Sequence, residues 1–166
     1  MNVRELMSSP VSTCSPEDTL EDAARLLWEN DCGILPVVDH NGQLGSTITD
    51  RDICMAAYTQ GVRLADAHVA DSMSRQLVTC LADDPIASAT GIMAANRVRR
   101  LPVVDADGKL CGVLSLNDLA TKAAKDKSVG REILKVLAAV CQPHVAGDPV
   151  VTASSPAAKV QVGGQS

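Results

Sequence analysis

The amino-acid sequence predicts a mixed α/β (α+β) fold in which two copies of a β-α-β-β-α unit pack sheet against sheet. An internal repeat and a hairpin pattern in each copy lead to this prediction, and the composition agrees with it. Apolar residues make up 46% of the 166 residues, yet the chain has one Trp, one Tyr and no Phe. Such an aliphatic core suits helices packed on small sheets. One unit of about 55 residues could bury little surface alone, so we expect the two to fold together.

The repeat becomes visible when the sequence is shifted by 66 residues. Residues 3–57 then align with residues 69–123 without a gap, and 17 of the 55 pairs are identical. The block Leu35–Asp39 recurs as Leu101–Asp105. Self-similarity at a fixed spacing is typical of a duplicated structural unit.

The first half of each copy predicts a short extended segment followed by a helix. The extended segments are Val11–Cys14 and Leu77–Leu81. Asp18 and Asp84 are then placed to cap the helices. Apolar residues follow at positions i, i+3, i+4 and i+7, the period of a helix that buries one face: Leu20, Ala23, Ala24 and Leu27, and in the second copy Ile86, Ala89, Thr90 and Met93.

The second half of each copy predicts a β-hairpin and a second helix. Asn41-Gly42 and Asp107-Gly108 are favoured centres of tight hairpin turns, in which both central residues have positive φ. The second helices should begin at about Asp50 and Leu116. The predicted strands are Ile34–Asp39 with Leu44–Thr49, and Arg100–Asp105 with Leu110–Ser115.

Four segments follow from these patterns. The two repeats should span residues 1–66 and 67–125. A helix is expected at 126–142, where an apolar stripe could dock on the repeats or on a partner. Residues 143–166 lack periodicity and are rich in Gly, Ser and Pro, so we expect a flexible tail. The stripe consists of Val129, Ile133, Val136, Leu137 and Val140.

Charge and hydropathy argue against several classes of partner. The formal net charge of −5 argues against nucleic acid as the main partner. No run of 18 apolar residues is present, so we expect no membrane partner. The first residues have no apolar segment of the kind that signal peptides carry, which favours a cytoplasmic location.

The six cysteines do not form a metal-binding pattern. They lie at positions 14, 32, 54, 80, 111 and 141, without a Cys-x-x-Cys pair. Zinc sites draw on closely spaced ligand pairs, so no metal is expected. We expect reduced, buried thiols that act as small apolar side chains.

One polar constellation recurs where the second strand of each copy passes into a helix. Thr49 precedes Asp52 by three residues, and Ser115 precedes Asp118 in the same way. The start of a helix attracts phosphate, and a carboxylate there can accept hydrogen bonds from ribose hydroxyls. Gly112 would let a ligand approach the backbone closely. The same pairs could equally be plain helix caps.

These residues together resemble the CBS (cystathionine-β-synthase) domain family. The resemblance rests on the apolar-Pro-Val-Val-Asp strand, the Gly-centred turn, the second strand and the Thr/Ser-x-x-Asp pair, in both copies over residues 1–125. Thr49-Asp50-Arg51-Asp52-Ile53 is similar to the most recognisable signature of that family. It implies a stand-alone Bateman-type pair, a disc with pseudo-twofold symmetry. Such modules often bind AMP, ADP, ATP or S-adenosylmethionine in two clefts between the repeats.

The resemblance also implies residue roles. Asp52 and Asp118 would hold the ribose, and Thr49 and Ser115 would help to hold ribose or phosphate. Basic residues just before a second strand contact phosphate in this family, which points to Arg99 and Arg100. The first copy has Gly33 and Ile34 at those positions. We therefore expect unequal clefts with the phosphate in the second. The alternative is that Arg97, Arg99 and Arg100 form a solvated cluster.

The predicted function is a regulatory sensor of adenosyl nucleotides that is not an enzyme. The sequence has no catalytic constellation and no phosphate-binding glycine loop. The repeats occupy most of the chain, so regulation should act in trans on another protein of unknown identity. We expect a homodimer associated through helix faces. The main alternative is a dimerising interaction module without a small-molecule ligand, and a weaker one is a thiol sensor.

Overall fold

The structure, a computed structural model, describes residues 1–124 and 127–142. The predicted flexible tail at 143–166 lies outside these residues. Short 3-10 turns lie at Val3–Glu5 and Leu64–Asp66. The helices and strands are α1 Leu20–Glu29, β1 Leu35–Val38, β2 Leu44–Ile48, α2 Asp50–Gln60, α3 Val69–Ser72, β3 Cys80–Leu81, α4 Ile86–Asn96, β4 Arg100–Val104, β5 Leu110–Ser115, α5 Leu116–Ala123 and α6 Lys127–Val140.

Each copy contains the predicted antiparallel hairpin followed directly by a helix. β1 pairs with β2 so that Leu35 lies opposite Ile48, and β4 pairs with β5 so that Leu101 lies opposite Leu114. The opening strand is shorter than predicted. In the second copy it is the two-residue β3, parallel to β4, and in the first copy it is a single bridge between Cys14 and Val37. The mixed α/β class is confirmed.

The hairpin turns differ from the predicted two-residue type. Gly42 has a φ of 77° and Gly108 a φ of 80°, whereas Asn41 keeps a negative φ. The side chain of Asp39 closes the turn, since Oδ1 accepts the backbone N–H of Asn41 at 2.8 Å and of Gln43 at 2.9 Å. The strand register shifts just before this turn and before its counterpart. Each turn therefore contains one residue more than the predicted two-residue turn, and only its glycine is in the left-handed region.

The predicted helix caps were wrong by one residue. Thr19 caps α1 and accepts the backbone N–H of Asp22 at 3.1 Å. Asp18 instead accepts the N–H of Ser15 at 2.8 Å. Asp84 makes the same bond to Leu81 in the second copy, at 2.9 Å. An aspartate can close a turn as readily as it caps a helix, and here both close the turn that leads into the helix.

The segments that lead into the two copies are exchanged. Val3 is fully buried in the core of the second copy, and Val69 is fully buried in the core of the first. The N–H of Val3 donates to the carbonyl of Asp84 and that of Val69 to the carbonyl of Asp18, each at 2.9 Å. These contacts are related by the 66-residue repeat. Each copy therefore completes the core of the other, about a pseudo-twofold axis.

α6 covers the helices of the second copy. It packs against α4 and α5, and Val129, Ile133 and Val136 of the predicted stripe are buried there. Leu137 stays 39% exposed. The helix predicted at 126–142 is therefore present at Lys127–Val140, and it docks on its own chain.

Candidate functional site

Both predicted hydroxyl–carboxylate pairs lie at helix N-termini, and within each pair the hydroxyl and the carboxylate are hydrogen-bonded to each other. In the first copy, the hydroxyl of Thr49 donates to Oδ2 of Asp52 at 2.7 Å, and the N–H of Thr49 donates to the same oxygen at 2.9 Å. The N–H of Asp52 in turn donates to the Thr49 hydroxyl oxygen at 3.3 Å. This is a reciprocal capping box that fixes the start of α2.

The second copy repeats this geometry with Ser115 and Asp118. The hydroxyl of Ser115 donates to Oδ2 of Asp118 at 2.5 Å, and the Ser115 N–H donates to it at 2.7 Å. The difference lies at the other carboxylate oxygen. Oδ1 of Asp118 accepts the hydroxyl of Ser8 at 3.1 Å. The corresponding oxygen of Asp52 accepts no hydrogen bond from the part of the chain that the structure describes.

Helix capping uses only one oxygen of each carboxylate. One oxygen is committed to the helix start, while the second can accept hydrogen bonds from a ligand hydroxyl. Both pairs sit where the backbone N–H groups of a helix create a partial positive charge. The two alternatives considered for these residues, helix capping and ligand contact, are therefore compatible.

Arg100 connects the two copies. Its backbone pairs with Ser115 at the second motif. Its guanidinium, however, reaches the first copy, since a Cβ added at Gly33 would lie 2.8 Å from Nη2 of Arg100. Gly33 precedes β1, where Leu35 lies opposite Ile48 and so next to the first motif. Arg100 therefore contacts both copies, and the cleft that it serves stays a prediction.

Arg99 takes a different direction. It is exposed, and its carbonyl accepts the N–H of Leu116 at 3.0 Å, which joins the approach to β4 to the start of α5. Arg97 is half-buried with a φ of 52° and makes interactions of its own. The three arginines thus do not form one solvated cluster, because only Arg99 is fully at the surface.

Gly112 is close to another part of the chain. A Cβ added there would lie 2.5 Å from the carbonyl oxygen of Ser8 and 3.0 Å from the sulfur of Met7. The close approach that glycine permits is therefore made by the N-terminal segment. In the first copy the equivalent residue is Ser46, whose hydroxyl donates to the carbonyl of Ser74 at 2.6 Å.

Two cavities open on the first copy, and neither contains Thr49 or Asp52. One of about 380 Å³ lies between α1 and α2. The other, of about 520 Å³, is lined by residues 13–18 and 38–40. Its carboxylates, on Glu17, Asp18 and Asp39, make it a poor environment for phosphate. The predicted hydroxyl–carboxylate pairs lie instead at the starts of α2 and α5.

The cysteines divide into classes that the sequence did not distinguish. Cys14 and Cys80 are buried, as expected, and burial followed by a nearby aspartate raises the pKa of each thiol to about 12. Cys54 and Cys141 are exposed, so the expectation of six buried thiols was wrong. All six are free, and among the described residues no cluster suits a metal ion.

Sequence reasoning missed two residues at this site. Ser8 lies 110 positions from the carboxylate that it contacts, and Gly33 was noted only as a missing charge. The repeat could have indicated Ser8, because it aligns with an identical Ser74 outside every predicted element.

No helix in the described ranges has the length and hydropathy needed to cross a bilayer.

Comparison with known proteins points to one domain family. The family model of the CBS domain matches residues 3–58 and 67–125. The CBS domain-containing protein YhcV of Bacillus subtilis (strain 168) is 34% identical over 135 residues, covering 81% of this chain and 94% of YhcV. CBSX2, solved in complex with AMP, has a TM-score of 0.67 at 28% identity, covering 76% of this chain and 98% of that one.

A second solved structure carries two other adenosyl compounds. The CBS domain pair of protein MJ0100 was solved in complex with 5'-methylthioadenosine and S-adenosyl-L-methionine. It has a TM-score of 0.66 at 25% identity, and the match covers 74% of this chain and 98% of that one.

Proposed function

This chain belongs to the CBS-domain family, and from that premise we propose that it is a regulatory module that binds an adenosyl compound between its two repeats. The observation that carries the proposal is the duplicated hydroxyl–carboxylate pair at the starts of α2 and α5, with Arg100 extending from one copy to the other. The AMP and S-adenosylmethionine complexes of structural relatives support this class of ligand.

The proposed mechanism assigns a separate task to each group. The Oδ1 oxygens of Asp52 and Asp118 accept hydrogen bonds from ribose hydroxyls, in Asp118 after the Ser8 hydroxyl has left. Thr49 and Ser115 contact ribose or phosphate. Arg100 neutralises phosphate at the junction of the copies, where its guanidinium could serve either cleft. Arg99 is exposed and would take part only with a ligand that extends outward.

The two clefts should differ in their cost of binding. A ribose at the second motif must displace the Ser8 hydroxyl from Asp118. No described residue has to leave Asp52. Together with the position of Arg100, this favours the first cleft for phosphorylated ligands, whereas the charge pattern of the sequence predicts the second. Gly112 has no direct contact in this proposal, because the N-terminal segment lies against it.

We propose regulation rather than catalysis, because the carboxylates of the site hold the starts of α2 and α5. We propose that the chain acts as a homodimer on a separate protein, with bound ligand altering the fit of the two repeats. The cytoplasmic location stays a prediction from the sequence.

Calorimetric titration with AMP, ATP, S-adenosylmethionine and adenosine tests the proposal. Arg100→Ala should weaken AMP and ATP binding roughly ten- to a hundredfold, since a charged hydrogen bond contributes about 1.5–3 kcal/mol. Adenosine binding should change much less. Asp52→Ala should weaken all four ligands, and the melting temperature of each unliganded variant controls for lost helix capping.

Two outcomes would contradict this assignment. If Asp118→Ala abolishes AMP binding while Asp52→Ala and Arg100→Ala are silent, the phosphate lies in the second cleft. If the wild-type chain binds none of the four compounds, the alternative of an interaction module without a small-molecule ligand becomes the better account.

A further inference from the structure

The first copy has an uncovered groove between its two helices, which we call the α1–α2 groove. It encloses about 380 Å³ and is lined mainly by apolar side chains, with two carboxylates at its edge. The apolar residues include Ala24, Leu27, Trp28 and Ile53, and the carboxylates belong to Asp31 and Asp50.

The internal repeat shows what kind of element fits such a surface. In the second copy the equivalent positions are Thr90, Met93 and Leu119, and all three are buried. α6 packs on this surface, and the hydroxyl of Thr90 donates to Glu132 of α6 at 3.3 Å. The helix pair of the second copy therefore binds an amphipathic helix. In the described ranges, no helix covers the groove of the first copy.

Exposed aromatic residues lie on the two helices that form the groove, and Trp28 lines the groove itself. The chain's single Trp and single Tyr both lie on the helices of the first copy, and Trp28 is 87% and Tyr58 83% exposed. Aromatic side chains concentrate at the centres of protein interfaces, where they bury large area at low entropic cost. In a chain with an otherwise aliphatic core, both aromatic rings have been left to the surface.

The outward face of α6 complements this groove. Leu134 is 68% and Leu137 39% exposed, and Arg131 and Lys135 are exposed on the same helix. Lys135 also pairs with Glu132 at 2.9 Å. The exposed side of α6 therefore carries leucines beside cations, and the groove is apolar with two acids in its lining. The charge at the groove is also inverted relative to the second copy, where Arg97 replaces Asp31. A cationic helix thus suits the first copy better than the second.

We propose that the α1–α2 groove binds the outward face of α6 from a second copy of this chain. Twofold symmetry makes the contact reciprocal, so that each α6 lies between its own α4–α5 pair and the partner's groove. This inference rests on the homodimer named above and adds its interface. It does not depend on any ligand.

Light scattering between 1 and about 200 µM tests the interface. We expect a mass near twice the 17.3 kDa of one chain. Trp28→Ala and Leu134→Ala should each raise the dimer Kd at least tenfold, whereas Leu81→Ala, an exposed leucine on neither surface, should not. Trp28 also reports directly, since emission of the only tryptophan should shift to the blue as the dimer forms.

A charge exchange identifies the occupant. Asp31→Arg should loosen the dimer, and the second copy already accommodates Arg at the equivalent position with a φ of 52°. Arg131→Asp should loosen it too, and the double variant should recover affinity. A dimer sensitive to Trp28→Ala but not to Leu134→Ala or Arg131→Asp would mean that groove meets groove, which overturns the proposal. A monomer at every concentration overturns the homodimer as well, while AMP titration tests the ligand site independently.

Discussion

Asp118 has two structural partners before any ligand arrives. One oxygen holds the start of α5 through Ser115, and the other accepts the hydroxyl of Ser8 from the N-terminal segment. Asp52 has only the first of these partners among the described residues. Two motifs that look equivalent in sequence therefore differ in how readily they can exchange a protein contact for a ribose hydroxyl.

The residues of the candidate site could be predicted, but not their neighbours. Thr49 and Asp52 could be predicted from their spacing, because a hydroxyl three residues ahead of a carboxylate at a strand end is a local sequence pattern. The position of the Arg100 guanidinium depends on how the copies face each other, which is a tertiary property. Gly33 opposite it carries no side chain to signal the contact.

Thiol reactivity should separate the cysteines according to burial. In the native protein at pH 8, iodoacetamide should modify the exposed Cys54 and Cys141 first. Cys14 and Cys80 should react only after unfolding, because burial raises their pKa to about 12 and little thiolate forms. Peptide mass mapping after timed quenching checks this order. Early modification of Cys14 would show that the first core opens readily.

The same two thiols make stability depend on alkaline pH. In the unfolded chain they ionise near pH 9, whereas in the native protein they keep their protons to about pH 12. Ionisation then favours the unfolded state, so their contribution is intact below pH 9 and falls progressively up to pH 12. Urea unfolding of wild type and of the Cys14→Ala/Cys80→Ala variant should show a smaller loss in the variant.

At the scale of elements, most helices and strands could be predicted, while their junctions could not. Hydrophobic period and the Asn-Gly and Asp-Gly signals identified both hairpins and the helices around them. Asp18 was expected to cap α1, but it closes the preceding turn and Thr19 caps the helix. Adjacent polar residues compete for the same backbone donors, and tertiary contacts decide between them.

Two glycine substitutions test the packing of these elements. Gly112→Ala should destabilise the protein by about 1–3 kcal/mol, because the new methyl would overlap the backbone carbonyl of Ser8. Gly91→Ala is the matched control. It lies exposed in α4 with no atom within 4 Å of the new methyl, and should stabilise the helix by up to about 1 kcal/mol. Urea unfolding measures both, and a neutral Gly112→Ala would show that the N-terminal segment is loosely docked.

At the scale of the whole molecule, the exchanged segments make the two cores interdependent. Val3 is covalently part of the first copy but fills the core of the second, and Val69 does the reverse. The sequence predicted that the copies would pack together, since each is too small alone. It could not predict the exchange, because both segments lie outside the periodic patterns and meet residues far along the chain.

This interlocking predicts a single unfolding transition that either segment can shift. Val3→Ala removes two methyl groups from a fully buried site and should cost about 2 kcal/mol, and Val69→Ala should cost a similar amount in the other core. Both variants should lower the midpoint of one common transition. Each core contains a segment from the other copy, so unfolding of one core also removes a buried segment from the other. Val62→Ala, at an exposed position, serves as the control. Calorimetry that resolves two transitions, with each variant moving only one of them, would show that the repeats unfold independently despite the exchange.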